Sequence, residues 1–247
     1  MYHWQITLML KDLKTRLHAL ADPEKAKRLQ RFFKTRKGEY AEGDKFLGIV
    51  VPMQRKVAKE FRSLSLMELK KLLHSKWHEE RLVALFIMVD QFKRGDAEQR
   101  AQLYNFYLSS TTVINNWDLV DSSASYIVGG YLFDRDRSIL TKLACSSLLW
   151  ERRIAVIATL FFISKDQFHD TLKITELLLS DKHDLIHKAC GWMLREVGKR
   201  DQNVLIHFLE KHAAHMPRTM LRYAIEHFSP EERKHYLNLR FKMQDSK

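Results

Sequence analysis

The chain has 247 residues, 45% of them hydrophobic and 11% aromatic, enough to bury a substantial core as one large domain or a repeat array. Eight glycines and four prolines are too few for a β-rich fold with many tight turns. Lys and Arg number 42 against 30 Asp and Glu, a formal charge of +12, which suits a polyanionic partner such as nucleic acid or an anionic surface; a merely soluble basic protein is the plainer alternative.

Taken in chain order, the pattern is helical almost throughout. Asp12 and Lys14 follow closely on the apolar N-terminal stretch, and no small-residue cleavage pattern is present, so no secretion signal is expected. Asp22-Pro23 makes a helix start. The segment Lys25 to Lys37 then holds seven basic residues, no acid, and Phe32-Phe33. It reads as an amphipathic helix with Ala26, Leu29 and Phe33 inward and a basic face outward, either solvated or adding counterion-release affinity for a duplex. Breaks follow at Lys37-Gly38, Gly43-Asp44, Arg94-Gly95-Asp96 and Asp181-Lys182-His183-Asp184. Leu66, Leu69, Leu72 and Leu73 form one apolar stripe, and Leu172, Leu177, Leu178, Leu185 and Ile186 outline two further helices. The apolar run Ile154 to Ile163 is bracketed by Arg153 and Lys165 and is too short to cross a membrane. Near the end, Ser229, Pro230 and Glu232 read as an N-cap, a first-turn proline and a capping-box acid. No two-period strand or hairpin turn interrupts this pattern.

Ala84, Val120, Ala155, Ala189 and Ala224 recur at spacings of 36, 35, 34 and 35, each in a segment that follows a loop and opens an apolar helix. A period in the mid-thirties leaves room for two helices and two turns. The expected fold is therefore all-α: one HEAT-like helical-repeat solenoid over 1–247, with an N-terminal helical part to about residue 60, helical pairs over 61–247 and a basic concave groove. Groove-side candidates on the second helices are Arg81, Trp117, Asp121, Arg152, Arg153, Trp192 and Arg195.

Trp117 and Asp121 lie four residues apart, so on a helix they share one face. A carboxylate on a basic surface would repel phosphates, and catalysis is one reason to keep it there. Asp118 competes for the same role, being adjacent to the same indole. Arg81, Arg152, Arg153 and Arg195 suit a phosphate-binding row, since guanidinium forks match phosphate geometry. The alternative is pairing with neighbouring acids such as Glu79, Glu80, Glu151 and Glu196. Trp4, Trp77 and Trp150 are expected in the core. Twelve histidines, notably His183/His187 and His212/His215, come without a metal-ligand signature, so no metal is expected. The cysteines, Cys145 and Cys190, are expected to be buried reduced thiols in a cytoplasmic protein. No phosphate-cradling loop or serine-hydrolase elbow is present.

Several landmarks, in order, resemble the AlkD-type DNA alkylation-repair glycosylases, a family of HEAT-like repeat proteins. They are Gly48-Ile49-Val50-Val51-Pro52, His78-Glu79-Glu80-Arg81, Asn116-Trp117-Asp118-Leu119-Val120-Asp121, Trp150-Glu151-Arg152-Arg153, Gly191-Trp192-Met193-Leu194-Arg195-Glu196 and Arg218-Thr219-Met220-Leu221-Arg222-Tyr223-Ala224. The resemblance covers most of the chain from about Gly48 and implies nothing for the first 45 residues. It implies a catalytic cleft of Trp117, Asp121 and Trp192, with Arg153 and Arg195 facing DNA. The implied activity is monofunctional hydrolysis of the N-glycosidic bond of cationic N3- or N7-alkylpurines in duplex DNA. A carboxylate would stabilise the oxocarbenium and position water while the lesion stays stacked in the helix. The implied protein works without a cofactor and without a membrane, as a monomer. The alternatives are a non-catalytic HEAT-like DNA-binding module and, on charge less favoured, a protein-binding scaffold.

Overall fold

The computed structural model describes the backbone of residues 2–244 and the side chains of residues 9–239. All regular structure in it is helical, and the helices fall in two compact units, residues 1–131 and 132–247. The first unit holds α1 (Tyr2–His18), α2 (Pro23–Phe32), α3 (Val51–Glu60), α4 (Leu66–Leu73), α5 (His78–Arg94), α6 (Ala97–Leu108) and the short α7 (Trp117–Asp121). A π-helical turn, Ser125–Gly129, follows α7. The second unit holds α8 (Ser138–Ala144), α9 (Leu149–Ile163), α10 (His169–Leu177), α11 (Asp184–Arg200), α12 (Gln202–His212), α13 (Arg218–Ala224) and α14 (Pro230–Gln244).

Helix ends obey local chemistry. Asp22 caps α2 by accepting from the backbone N–H groups of Glu24 and Lys25, with Pro23 in the first turn. Ser65 and Glu68 close a reciprocal capping box on α4, and Ser229 and Glu232 do the same at α14. The basic segment breaks earlier than its composition predicts. Helix α2 ends at Phe32, and Lys34 takes a left-handed φ of 52° that continues the chain as turns.

The repeat register has a packing cause. Ala84, Val120, Ala155 and Ala189 are fully buried and Ala224 is 1% exposed. They sit on α5, α7, α9, α11 and α13, alternating with α4, α6, α8, α10 and α12 as paired first helices. Small side chains recur there because second helices stack closely on one another: in the second unit α11 packs against both α9 and α13. In the first unit α5 touches α3, α4, α6, α7 and the π turn. Every residue of α5 from His78 to Val89 is consequently buried, so this helix shows no polar stripe.

Helices α11 and α13 approach each other closely at Gly191 on α11. A Cβ there would lie 2.5 Å from both the Met220 carbonyl oxygen and Tyr223 Cβ of α13. The obstruction is backbone and cannot rotate away. Gly191→Val is expected to lower stability by about 1–3 kcal/mol, as an overpacked helix contact does. Urea denaturation followed by circular dichroism measures it, and an unchanged midpoint would contradict this packing.

Candidate active site

The site grows from the first turn of α5, where four consecutive ionisable side chains, His78, Glu79, Glu80 and Arg81, are all buried. Buried charges need partners, and each of these four finds them, His78 and Arg81 sharing Asp44. Glu79 accepts the backbone N–H groups of Leu47 and Gly48 at 2.8 Å and of Ile49 at 3.3 Å. This clamp holds the loop ahead of α3 across the start of α5. Gly48 has a φ of +87° there, and a Cβ would fall 2.1 Å from the Asp22 carbonyl oxygen, so only glycine fits. Glu80 binds Lys14 and His18 of α1, each at 2.9 Å.

His78 stands between two carboxylates. Its Nε2–H donates to Asp118 Oδ2 on α7 at 2.7 Å, and its Nδ1–H donates to Asp44 Oδ2 at 3.3 Å. Arg81 Nη2 meets the same Asp44 oxygen at 2.6 Å, and the Asn116 side-chain amide donates to it at 3.2 Å. Burial alone would strip the proton from His78, but the Asp118 charge and hydrogen bond, with the bond to Asp44, outweigh it and push the imidazole pKa up to about 9. Burial would likewise raise Asp44, and the bonds from His78 and Arg81 instead hold its carboxyl below the usual range. Asn116 also accepts the Trp117 backbone N–H at 2.8 Å, fixing the start of α7. This network sets the angle at which α7 presents Trp117, Asp118 and Asp121.

Those three residues line a cavity of about 660 Å³ whose walls come from residues 25–126, all within the first unit. The indole of Trp117 stacks on Phe33, with centroids 5.1 Å apart and planes 14° apart, and meets the edge of Phe32. Phe33 stacks in turn on Phe46, and Phe46 on His78. The basic segment thus reaches the site through its two phenylalanines, while Lys25, Arg28 and Arg55 supply positive charge at the cavity. The π turn after α7 brings Tyr126 to the same wall, with Lys93 Nζ 4.0 Å from its ring centroid.

The other expected site residues are placed differently. Arg81 is buried and bound to Asp44, so a phosphate would have to displace that carboxylate. In the second unit, Trp192 on α11 is half-buried and its indole N–H donates to Glu196 at 3.1 Å. Arg152 pairs with Asp181 at 2.7 Å, and Arg153 is buried with Nη1 donating to the Leu185 carbonyl. Arg195 pairs with Glu226 and lies 3.8 Å from Glu196. Most of these partners are distant in sequence and are not the neighbouring glutamates that the sequence offered as the alternative to phosphate. Asp44, His78, Gln54, Phe32 and Phe33 were not assigned to the site from sequence. The visible signal was the run of four ionisable residues opening an otherwise apolar helix. Cys190 is buried, and that burial pushes its thiol up to about 12, while Cys145 is exposed at the end of α8, contrary to expectation. Trp77 and Trp150 are half-buried and Trp4 lies outside the described side chains. Among the described residues, no three His, Cys, Asp or Glu side chains gather as a metal site, and no helix is long and apolar enough to cross a membrane.

The chain matches the family described as DNA alkylation repair enzyme over residues 13–228, most of its length. It belongs to that family. A solved structure titled "Predicted DNA alkylation repair enzyme from Enterococcus faecalis" is similar with a TM-score of 0.66 at 17% identity, covering 85% of this chain and 97% of that one. At that identity the likeness is one of fold. No curated protein matches the chain. Membership in the DNA alkylation repair family supports a role in repairing alkylated DNA.

The His78 network carries a pH signature. Its folded pKa of about 9 lies above the ordinary 6.5, so the stability it contributes is complete below pH 6.5 and is lost as pH rises through 9. Denaturation midpoints measured from pH 6 to 10 are expected to fall across that window in the wild type. His78→Gln should start lower and lack this component of the decline; an equal decline in both would refute the assignment.

Proposed function

We propose that this protein is a monofunctional glycosylase that releases cationic N3- or N7-alkylated purines from duplex DNA. The observation that carries the reading is Asp121 beside the half-buried indole of Trp117 at a walled cavity, in a basic chain of the DNA alkylation repair family. An alkylated purine already bears positive charge, so the electron pair of the breaking glycosidic bond neutralises the ring and no acid need protonate the leaving group. Positive charge develops instead on the deoxyribose. Asp121 stabilises that oxocarbenium and orients the water that adds to the sugar carbon, accepting its proton. The Trp117 face adds cation–π attraction. Trp192 is assigned to the same task by family resemblance, which also gives Arg153 and Arg195 to contacts with the duplex; Arg152 joins them as a guanidinium suited to phosphate, each such contact forming in exchange for internal partners. No cofactor or metal is needed for this chemistry, and the protein is proposed to act as a cytoplasmic monomer.

The first phosphate contacts fall to α2. None of its residues is buried, and Lys25 and Lys27 pair with Asp22 and Glu24, leaving Arg28 and Arg31 exposed on a basic face. Replacing both by Ala is expected to reduce the slope of log affinity against log salt by about 2, measured on an unmodified duplex by fluorescence anisotropy. An unchanged slope would remove α2 from the interface.

The decisive assay is release of 7-methylguanine from alkylated duplex. Wild type should release base, and Asp121→Asn should bind the same duplex but release it about 100-fold more slowly or worse. Duplex binding without release by the wild type would favour a non-catalytic DNA-binding module, and absent or salt-insensitive binding would favour a protein scaffold.

A further inference from the structure

Helix α11 sets two pairs of residues, each four apart, on adjacent faces. Gly191 and Arg195 share one face, Trp192 and Glu196 the next, while Met193, Leu194 and Val197 are buried. The first face meets α13. The missing Cβ of Gly191 lets the two helices close up, and Glu226, just past the end of α13, reaches Arg195 Nη1. On the second face the Trp192 indole N–H donates to Glu196 Oε1 at 3.1 Å.

Three nitrogens converge on that one carboxylate oxygen. Besides the indole, Lys199 donates to it at 2.8 Å and Arg195 Nε lies 3.8 Å from it as an ion pair. The charge pairs follow ordinary helical spacing, and pairs of that kind add little to stability. They do offset a negative charge beside an arginine assigned to phosphate, where an unbalanced carboxylate would weaken DNA binding. The indole bond has a different consequence. A tryptophan turns about two side-chain torsions, and one hydrogen bond from its ring to a tethered partner selects a single orientation. Glu196 is such a partner, with its side chain 21% exposed and held by two cations. Phe33 orients Trp117 by stacking, whereas Glu196 orients Trp192 through its ring edge, which leaves the ring faces for other contacts.

Orientation matters because an aromatic ring is negative on its face and positive at its rim. A sugar cation is attracted by an indole face and repelled by its edge. We propose that Glu196 is a positioning residue for base release: it holds the Trp192 indole with a face toward the developing oxocarbenium, and so acts on turnover through Trp192 without touching the substrate. This rests on the glycosylase reading and on the match of Trp192 to the family's second cleft tryptophan.

The test uses the full chain as wild type, Glu196→Leu and Glu196→Gln, the last keeping an acceptor oxygen of similar reach without the charge. Single-turnover release from 7-methylguanine duplex should slow about tenfold in Glu196→Leu and stay within about threefold of wild type in Glu196→Gln. Duplex affinity, read by fluorescence anisotropy, should not fall in either, since each removes a negative charge. The indole N–H resonances seen by NMR report the bond directly, that of Trp192 being the one lost in Trp192→Phe. It should move upfield and exchange faster with water in Glu196→Leu, and stay near its wild-type position in Glu196→Gln. Wild-type turnover by Glu196→Leu, a Glu196→Gln variant as slow as Glu196→Leu, or a Trp192 resonance unmoved in Glu196→Leu would each overturn the proposal while leaving the glycosylase reading standing. If the wild type releases no base, the glycosylase reading falls, and the Trp192 resonance alone decides whether Glu196 orients that ring.

Discussion

The first turn of α5 holds together everything that makes the site. Four adjacent ionisable side chains leave water there, and other segments satisfy each: Asp118 of α7 and Asp44 hold His78, the backbone amides of the loop before α3 hold Glu79, α1 holds Glu80, and Asp44 holds Arg81. Removing one partner from such a pair leaves an uncompensated buried charge, at about 3–5 kcal/mol. An arrangement in which one helical turn satisfies four segments therefore tolerates very few alternatives. Its value lies in geometry more than in net stability, since buried ion pairs contribute little over well-packed apolar residues. The direction in which α7 points its tryptophan and aspartates is the quantity being specified.

That dependence also separates what was readable in the sequence from what was not. The repeat was readable because stacked helices need a small side chain at each contact, and Ala84, Val120, Ala155, Ala189 and Ala224 are all buried. Caps at Asp22 and Ser229 were readable because their chemistry is local. Partners of charged residues were not. Arg81 finds Asp44 and Arg152 finds Asp181, pairings that only the folded chain brings together, whereas sequence reasoning offered neighbouring glutamates. For the same reason a row of arginines for phosphate was expected where the structure spends several of them on internal bonds.

At the site, the four-residue spacing predicts a shared face for Trp117 and Asp121, and both line the cavity, yet helical spacing alone ranked Asp118, which lines it too, as a mere competitor. Its position is decided by His78, forty residues earlier. Phe32 and Phe33 were read as part of a basic helix, one of them inward. Only the end of α2 at Phe32, with the turn that follows, sets Phe33 flat against Trp117 and leaves Phe32 at the mouth. A periodic pattern predicts a groove; an enclosing wall needs the tertiary contact between two segments that share no periodicity.

Helix α2 completes that wall without burying any residue of its own, anchored mainly by the phenylalanine just beyond its end and by the backbone at Asp22. With no residue of α2 buried, its amides are expected to exchange through small local openings, and those of the buried α5 only on unfolding of the unit. The cavity therefore has a floor set by global stability and a wall set by a much shallower local equilibrium. Whatever occupies the cavity shifts that local equilibrium as it binds, so its observed affinity includes the free energy of ordering one helix.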